Sequence, residues 1–510
     1  MAGQTPEVFS AASTGDLDAL ARDLDADWAL AGRMLRWLAS RDAHHPAVAL
    51  PDTLTPGRGS AWALWLRARV AFLTLDLETL ARCGARLEAM DDPHARLFAR
   101  LVRGQRRCMA GDPSSVFAMA ATLQDEARAL SEPTLVVEAV LLSALAAASA
   151  EDHEEALKRA RLAARMAQSE RLWLTHFTTS VLLARARRMT GQPHLAGMIA
   201  RGCLEVAPAL FGGWLRWELL HAGVEPPPAR VDNHAGNHAE RAASLAAAWL
   251  CRGERDVLDP LDASVEGSAL HAQDRRVVVA ATSNEGALET LEGDARRWFE
   301  GETTELPPAL SGLIAPTWRD PSAPQAPLAL GRPGAGAGRR VLGIHGAPGH
   351  ALLAPVGAKA ARPEAVAAAL TLSGARGVDR PTLFASAYGF AFRPELHEPS
   401  FKVVRHQAKK LLEGHAEVTR DGEQVYLEVK RPYAVVDPRV REPLSHIVLR
   451  ALASGADSAK SVARRLGVPL RTVQMQLKHM VDDGACVARK EGRHVIYAVE
   501  DTTYCELTQA

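Results

Sequence analysis

Cysteine is scarce in this sequence, with six residues in 510 and none of them paired as Cys-x-x-Cys. The spacings between them are wide and irregular. This pattern argues against a disulfide framework and against a zinc site. We therefore expect free thiols in a reducing compartment.

Long apolar stretches are also missing. No run of about 18 apolar residues is free of charge, so no segment is predicted to span a membrane. The first twenty residues lack a basic stretch followed by an apolar core, and we expect no signal peptide. These absences predict a cytoplasmic protein without a membrane partner.

Short catalytic motifs are absent as well: the sequence has no Walker loop, no Gly-x-Ser-x-Gly elbow and no His-Glu-x-x-His. Gly343, Gly346 and Gly349 favour a hairpin turn over a phosphate loop, because no βαβ unit follows them. His234 and His238 lie in a polar linker without a third candidate ligand nearby, which favours solvated histidines. We predict no enzyme activity, no cofactor and no metal.

Charge is balanced overall, with 60 lysines and arginines against 60 aspartates and glutamates, but it is unevenly distributed. Residues 331–510 contain 26 basic and 18 acidic residues, which leaves 34 basic and 42 acidic residues for 1–330. The net positive charge of residues 331–510 permits a polyanionic partner without requiring one.

Residues 10–222 show apolar residues at helical spacing, as in the stretch from Trp62 to Leu73. Longer helices are predicted near residues 60–74, 94–109, 135–149 and 174–189, each followed by a shorter helix. The shorter helices carry small packing residues 37, 38 and 40 positions apart, at Ala81, Ala118, Ala156 and Ala196. A helix pair that repeats every ~34–47 residues is typical of an α-solenoid.

This region resembles a tetratricopeptide-like array. The resemblance implies that residues 1–222 form a helical-repeat domain that receives a protein or small-ligand partner. An irregular helical bundle is the alternative that the same pattern leaves open.

Residues 223–338 are interpreted as a helical extension and a Pro/Gly-rich connector. A polar break at 223–238 precedes a predicted helix near 239–252. A strand over Arg276–Ala281 and a helix ending at Phe299 are predicted next. Residues 303–338, rich in proline, glycine and alanine, are predicted to be a linker.

Residues 438–510 predict three helices and a β-hairpin. Asp457 or Ser458 is a good N-cap for the second helix, and Gly467 suits its end. Val473, Leu477 and Met480 or Val481 form the buried face of the third helix. The predicted elements are helices over Pro443–Ser454, Ala459–Leu466 and Leu470–Val481, and strands over Ala485–Arg489 and His494–Val499.

The string from Ala459 to Val499 resembles winged helices of the ArsR and MarR kind. The resemblance implies that the third helix enters the major groove of double-stranded DNA. Arg471 and Gln474 suit base edges. Phosphates suit the basic residues of the third helix and of the hairpin, which are Lys478, Arg489, Lys490 and Arg493. The residues predicted on DNA are Leu470, Arg471, Gln474, Met475, Lys478, Arg489, Lys490 and Arg493. The alternative is a winged helix that contacts protein.

Residues 339–437 predict a second unit of this class. A hairpin within 340–356 is expected to supply a small sheet, and Gly389–Ser400 a long loop. An Asp421-Gly422 turn favours a hairpin after the helices. The predicted elements are helices over Pro363–Ser373, Arg380–Tyr388 and Phe401–Leu412, and strands over Ala416–Arg420 and Gln424–Val429.

This order resembles the response-regulator winged helix of the OmpR type. The resemblance implies that the third helix contacts DNA through its polar face. The residues predicted on DNA there are Lys402, Arg405, His406 and Lys409.

The sequence therefore predicts a mainly α protein, with an N-terminal α-solenoid followed by two α+β winged-helix domains. It resembles bacterial transcriptional regulators, and we predict that it binds double-stranded DNA and regulates transcription. A homodimer is left open. The alternative is a protein-interaction scaffold, which a steep loss of DNA retention with salt would exclude.

Overall fold

The computed structural model of this chain describes residues 26–42, 47–54, 57–228, 237–282, 285–314, 316–320, 326–354, 361–440, 443–453, 455–482 and 484–499. They belong to two compact units. The first takes in the chain up to Ala272 and again from Ser445, and the second takes in Gln273–Leu444. Within the described ranges the chain is mainly helical, with a few small sheets toward its C-terminal end, and none of the helices is long and apolar enough to cross a membrane.

The first unit begins with a run of helices in which each helix packs against the next along the chain. The predicted longer helices near 60–74, 94–109, 135–149 and 174–189 are confirmed, and so is the helix near 239–252. The helices are α1 (Ala26–Ala39), α2 (Arg58–Thr74), α3 (Leu77–Glu88), α4 (Pro93–Met109), α5 (Val116–Ala129), α6 (Pro133–Ser149), α7 (His153–Ser169), α8 (Trp173–Met189), α9 (Pro193–Val206), α10 (Gly212–His221), α11 (His238–Arg252) and α12 (Leu258–Val265).

The turns between these helices repeat with a fixed period. From α4 to α8, one residue after each helix adopts the left-handed conformation, and these residues are 20 positions apart: Gly111, Ser131, Glu151, Arg171 and Gly191. At each turn the next backbone N–H donates to a carbonyl five residues back, as from Glu132 to Ala127. This hydrogen bond satisfies a carbonyl that the helix end leaves open. A helix pair therefore recurs every 40 residues here.

Replacement of Ser131 by glycine tests how much a Cβ atom in the left-handed conformation destabilises these turns. Ser131 is exposed and has a φ of 57°, where a Cβ atom is unfavourable. We expect Ser131→Gly to raise the free energy of unfolding by roughly 0.5–1 kcal/mol. Ser131→Ala, which keeps the Cβ atom, should give no gain. Urea unfolding followed by circular dichroism measures both, and equal stability of the two variants would contradict this account.

Small residues line the contacts between neighbouring helices, but not at every predicted position. Ala156 and Ala196 are fully buried, as predicted. The prediction is wrong for Ala118, which is exposed, and the buried alanine of α5 is Ala120. Ala81 is half-buried, because α3 turns a different face inward. In α3 the close approach falls at Gly84, where an added Cβ would lie 3.1 Å from Val102.

Buried ion pairs cross the interior of the first unit. Arg69 of α2 donates to Glu138 of α6, and Thr175 donates to the same carboxylate at 2.8 Å. Glu218 of α10 accepts from Arg188 at 2.8 Å and lies 3.5 Å from Arg185. All of these arginine and glutamate side chains are at least 97 % buried. Such pairs must be geometrically complete, because each desolvated charge is costly alone.

Loss of the Glu218 carboxylate should therefore destabilise the protein strongly. We expect Glu218→Gln to lower the free energy of unfolding by about 3–5 kcal/mol, since two buried guanidiniums lose the charge they share. Glu254, an exposed partner of Arg252, offers a matched control. Glu254→Gln should cost less than about 1 kcal/mol. Chemical unfolding of the full chain compares the two, and similar costs would contradict the assigned role.

The tenth helix returns to the second. The indole Nε1 of Trp214 in α10 donates to the carbonyl of Leu73 in α2 at 2.8 Å. Its ring stacks on Phe72 with 5.5 Å between the ring centroids. The N–H of Ala209 likewise donates to the carbonyl of Ser40, after α1, at 2.9 Å. Helices from an early and a late part of this run therefore contact each other directly.

Further along the chain, α13 (Ala269–Ala281) crosses the boundary between the units, and the second unit follows with mixed elements. Its sheets run in the orders β2-β1-β7-β3 and β4-β6-β5. The elements are α14 (Glu285–Glu289), α15 (Gly293–Phe299), β1 (Leu328–Gly331), β2 (Arg339–Val341), β3 (Ala351–Leu353), α16 (Ala361–Ser373), β4 (Val378–Asp379), α17 (Arg380–Tyr388), α18 (Pro394–Leu412), β5 (Ala416–Asp421), β6 (Gln424–Val429) and β7 (Tyr433–Val436). Short 3-10 turns cover Pro308–Leu313 and Gly374–Arg376.

Several predictions for the connector and for the stretch after it are wrong. The strand predicted over Arg276–Ala281 is the end of helix α13. The hairpin predicted within 340–356 does not form, because β2 pairs with β1 and β3 pairs in parallel with β7. The predicted linker 303–338 contains β1. The loop predicted over Gly389–Ser400 ends at Arg393, where α18 begins, with Pro399 inside the helix.

A buried ion pair also holds the second unit together. Arg340 of β2 and Asp437, just after β7, are fully buried and 3.0 Å apart. Arg340 donates further to the carbonyls of Trp298 and Thr303, each at 2.7 Å. Hydrogen bonds from Arg439 and Arg340 keep the pKa of the Asp437 carboxyl low despite its burial. The first sheet is thereby tied to the segment around α15.

The C-terminal part of the first unit has the predicted order of three helices and a hairpin. Ser458 caps the second helix, and Gly467 ends it with a φ of 64°, as predicted. A short strand before the second helix, β8, was not predicted and pairs with β10. The elements are α19 (Leu444–Ala453), β8 (Asp457–Ser458), α20 (Ala459–Leu466), α21 (Leu470–Asp482), β9 (Val487–Glu491) and β10 (His494–Ala498).

Candidate nucleic-acid interface

Helix α21 is held on one face and open on the other. Val473, Leu477 and Met480 are buried, as predicted, and α21 packs against α20. The turn between the two helices is closed by a hydrogen bond from the N–H of Val468 to the carbonyl of Ala463 at 3.1 Å. A helix fixed in this way presents its other face at a defined angle.

The open face of α21 carries all five residues predicted for DNA contact. They share exposure to solvent and helical spacing, and they are Leu470, Arg471, Gln474, Met475 and Lys478. Two of them, Leu470 and Met475, are apolar and 41 % and 58 % exposed. The face thus combines hydrogen-bonding groups with apolar groups that suit a thymine methyl.

The hairpin of β9 and β10 carries the other three predicted residues. Arg489 lies opposite Ile496 and Lys490 opposite Val495, and the chain turns at Gly492 with a φ of 60°. Arg493 follows this turn, and the side chains of Arg489, Lys490 and Arg493 are all exposed. The hairpin therefore exposes three cations to solvent.

Formal charge favours an anionic partner for this segment. Residues 459–498 contain eight lysines and arginines and three aspartates and glutamates, so their net charge is +5. Two of these cations, Lys460 and Arg464 on α20, are exposed and lie four positions apart. They were not among the predicted DNA contacts, although their spacing on one polar helix face could have indicated them.

Helix α18 of the second unit carries the remaining predicted residues. Lys402, His406 and Lys409 are exposed, while Phe401 and Ala408 on the opposite face are buried. Val403, 56 % exposed, lies among these polar residues. A hairpin of β5 and β6 follows the helix, turning at Gly422.

Arg405 differs from its neighbours on α18. Its guanidinium donates to Glu398 at 3.0 Å and lies over the ring of Phe401, 5.1 Å from the centroid. Glu398 also pairs with Arg380 of α17. Burial lowers the pKa of Arg405, and the charge of Glu398 acts in the opposite direction. Arg405 therefore holds Glu398, the residue that pairs with α17, whereas the exposed lysines have no such task.

A narrow cavity lies inside the helical part of the first unit. Only about 30 Å³ of it is accessible to a water-sized molecule. Its walls come from α2, α4, α6, α8 and α10 and include Leu142, Thr178 and Trp214. Gln105, 8 % exposed, and Arg185 also line it. The cavity thus combines mostly apolar walls with a few polar groups and has room for little more than water.

Comparison with family models, with curated proteins and with solved structures gives no match for this chain. The surfaces described above therefore supply the evidence for function.

The contrast between Arg405 and Lys409 is testable. Arg405→Ala should lower the free energy of unfolding by about 1 kcal/mol, because it removes an ion pair and the packing of the arginine on Phe401. Lys409→Ala, at an exposed position, should change it by less than about 0.5 kcal/mol. Thermal unfolding of the two variants beside the parent measures this difference. A Lys409 variant as unstable as the Arg405 variant would refute the distinction.

Proposed function

We propose that this protein is a DNA-binding transcriptional regulator whose C-terminal segment reads duplex DNA as a winged helix. The observation that supports it best is the open face of α21. It presents Arg471 and Gln474 on a helix whose other side is fixed by packing, next to a cationic hairpin. The helix shape, the positive charge and the residue types all support duplex DNA as the ligand.

The residues divide by the part of DNA that suits them. Arginine can donate two hydrogen bonds to the O6 and N7 atoms of guanine, and glutamine can pair with the N6 and N7 atoms of adenine. Arg471 and Gln474 take these roles near the start of α21. Lys478 and the wing cations Arg489, Lys490 and Arg493 take phosphate contacts, which position the protein without reading sequence.

Helix α18 and its hairpin are proposed as a second, OmpR-like winged helix. Lys402, His406 and Lys409 are its proposed DNA contacts, because they are exposed together on one face. Arg405 is left out of this contact set and is assigned to the link between α17 and α18.

The helical part is proposed to receive the signal as a tetratricopeptide-like α-solenoid. The turns that recur every 20 residues from Gly111 to Gly191 support this assignment, because stacked helix pairs are typical of such arrays. A protein or a small ligand is proposed as the partner of these helices.

A protein-interaction scaffold is the second candidate function. The exposed apolar side chains of Leu470, Met475 and Val495 favour it, because apolar groups at a surface often mark a protein contact. Protein contact through such groups depends weakly on salt, whereas DNA binding weakens steeply as salt rises. The salt dependence of retention on duplex DNA separates the two functions.

Substitution of Arg471 and Arg493 tests the roles within the DNA interface. Arg471→Ala should cost ~1–3 kcal/mol on the specific site and much less on scrambled duplex, so the specificity ratio falls. Arg493→Ala should weaken both duplexes alike and reduce the slope of log affinity against log salt by about one. Binding of the full chain to a genomically selected duplex and to its scrambled version, at several salt concentrations, measures both effects.

Arg103, exposed on α4 and paired with Glu88 of α3, provides the control, because Arg103→Ala removes a surface cation outside the proposed interface. It should leave affinity, specificity and salt slope unchanged. An unchanged specificity ratio in Arg471→Ala would refute base reading by this helix. Salt-independent retention of the parent would favour the scaffold.

A further inference from the structure

A groove on the second unit has no role in the proposed DNA contacts. It holds about 1200 Å³ of empty space, including the part that is open to solvent. Its walls come from residues 288–300, from residues 330–339 and from Arg376, which are far apart in sequence. The charged residues that line it are Glu289, Arg296, Glu300, Arg332, Arg339 and Arg376. Four cations against two anions give the groove a positive potential.

A loop of very small residues forms one wall. It joins β1 to β2, and residues 334–338 are alternately glycine and alanine. The N–H of Gly338 donates to the carbonyl of Thr371 at 2.9 Å, and the N–H of Ala375 donates to the carbonyl of Gly336 at 2.7 Å. A Cβ on Gly338 would lie 2.5 Å from two carbonyl oxygens, so only glycine fits. This contact fixes the loop beside the turn that carries Arg376.

The outer side of this loop is open. Nothing lies within 4 Å of the position that a Cβ on Gly336 would take. Within the described part of the chain, the N–H groups of Gly336 and Ala337 donate to no backbone acceptor. Accessible N–H groups beside cationic side chains are a common way to bind an anion.

Two of the arginines, Arg332 and Arg339, are close enough to affect each other. Burial and the charge of Arg332 together lower the pKa of Arg339 to about 10. Arg376 donates to the carbonyl of Leu372 at 3.0 Å, which leaves most of its five N–H donors for a ligand. Arg296, in contrast, is held by Glu300 at 2.9 Å. Arg332 also donates to His350 Nε2 at 3.3 Å, outside the groove lining. A bound anion would offset the like charges of Arg332 and Arg339.

We propose that this groove binds a small phosphate-bearing molecule. The phosphate oxygens accept from Arg332, Arg339 and Arg376 and from the N–H groups of the glycine–alanine loop, and the organic part lies toward Leu288. Planar guanidinium groups match phosphate oxygens in pairs, which favours arginine over lysine for this task. The site is independent of the proposed DNA contacts, since none of their residues line it.

Calorimetric titration of the full chain tests the proposal with four probes: pyrophosphate, adenosine monophosphate, adenosine and a 20-base-pair duplex. Pyrophosphate and the nucleotide should bind with millimolar or tighter Kd, and adenosine should not. Arg376→Gln should weaken both phosphate probes about tenfold or more, since a charge-assisted contact is lost. Gly336→Val should also weaken them, because its side chain enters the groove.

Arg297→Gln is the matched control, because Arg297 lies on the same helix as Arg296, pairs with Asp294 and does not line the groove. It should bind the probes like the parent. Thermal unfolding without ligand shows that each variant is folded. No binding of either phosphate probe to the parent would overturn the proposal, and so would equal binding by Arg376→Gln and Arg297→Gln. Displacement of the nucleotide by the duplex, with weaker duplex binding in Arg376→Gln, would assign the groove to DNA instead.

Discussion

A guanidinium buried among apolar side chains must meet a carboxylate or a carbonyl, and much of this structure is arranged around that requirement. Glu138 meets Arg69 from a helix 69 residues away, and Asp437 meets Arg340 across 97 residues. Because the desolvation of each charge is recovered only when the partner is in place, the pairs fix how distant segments pack. Apolar contacts between alanine-rich helices would tolerate sliding, whereas a hydrogen-bonded ion pair does not.

Much of the fold could be predicted because its signals are local. Aspartate caps such as Asp152 and the apolar spacing of the longer helices locate the helical run, and Ser458 with Gly467 locates the turn before α21. The 20-residue period of the turns was not predicted. A left-handed position is easy to recognise in a sequence only when it is a glycine, and here Ser131, Glu151 and Arg171 occupy three of these positions.

The errors come from contacts that are not local. The Val-Val-Val run at the end of α13 favours a strand by propensity, but the segment is helical and buried by its surroundings. β1 lies in a Pro/Gly-rich stretch and is a strand because β2 and β7 pair with it. The parallel partner of β3 is β7, which lies about 80 residues further along the chain. A turn motif indicates only pairing between strands that are adjacent in sequence, so it could not indicate this pair.

The candidate DNA site likewise has residues whose exposure the sequence predicts and residues whose contacts it cannot predict. Helical periodicity alone places Arg471, Gln474 and Lys478 on the open face of α21, and the structure has all three exposed. The same periodicity cannot tell Arg405 from Lys409, because the difference lies in Glu398 and its second partner, Arg380. The groove beside the glycine–alanine loop is built from three separate stretches, so no single motif could indicate it.

The contact between Trp214 and Leu73 has a consequence for evolution. A stack of helix pairs that is open at both ends can gain or lose a pair by duplication or deletion, since each pair touches only its neighbours. Here α10 must meet α2. An extra 40 residues between them would carry the indole away from its acceptor. This contact therefore favours a fixed number of helix pairs, and longer turns should be tolerated better than an added or a lost pair.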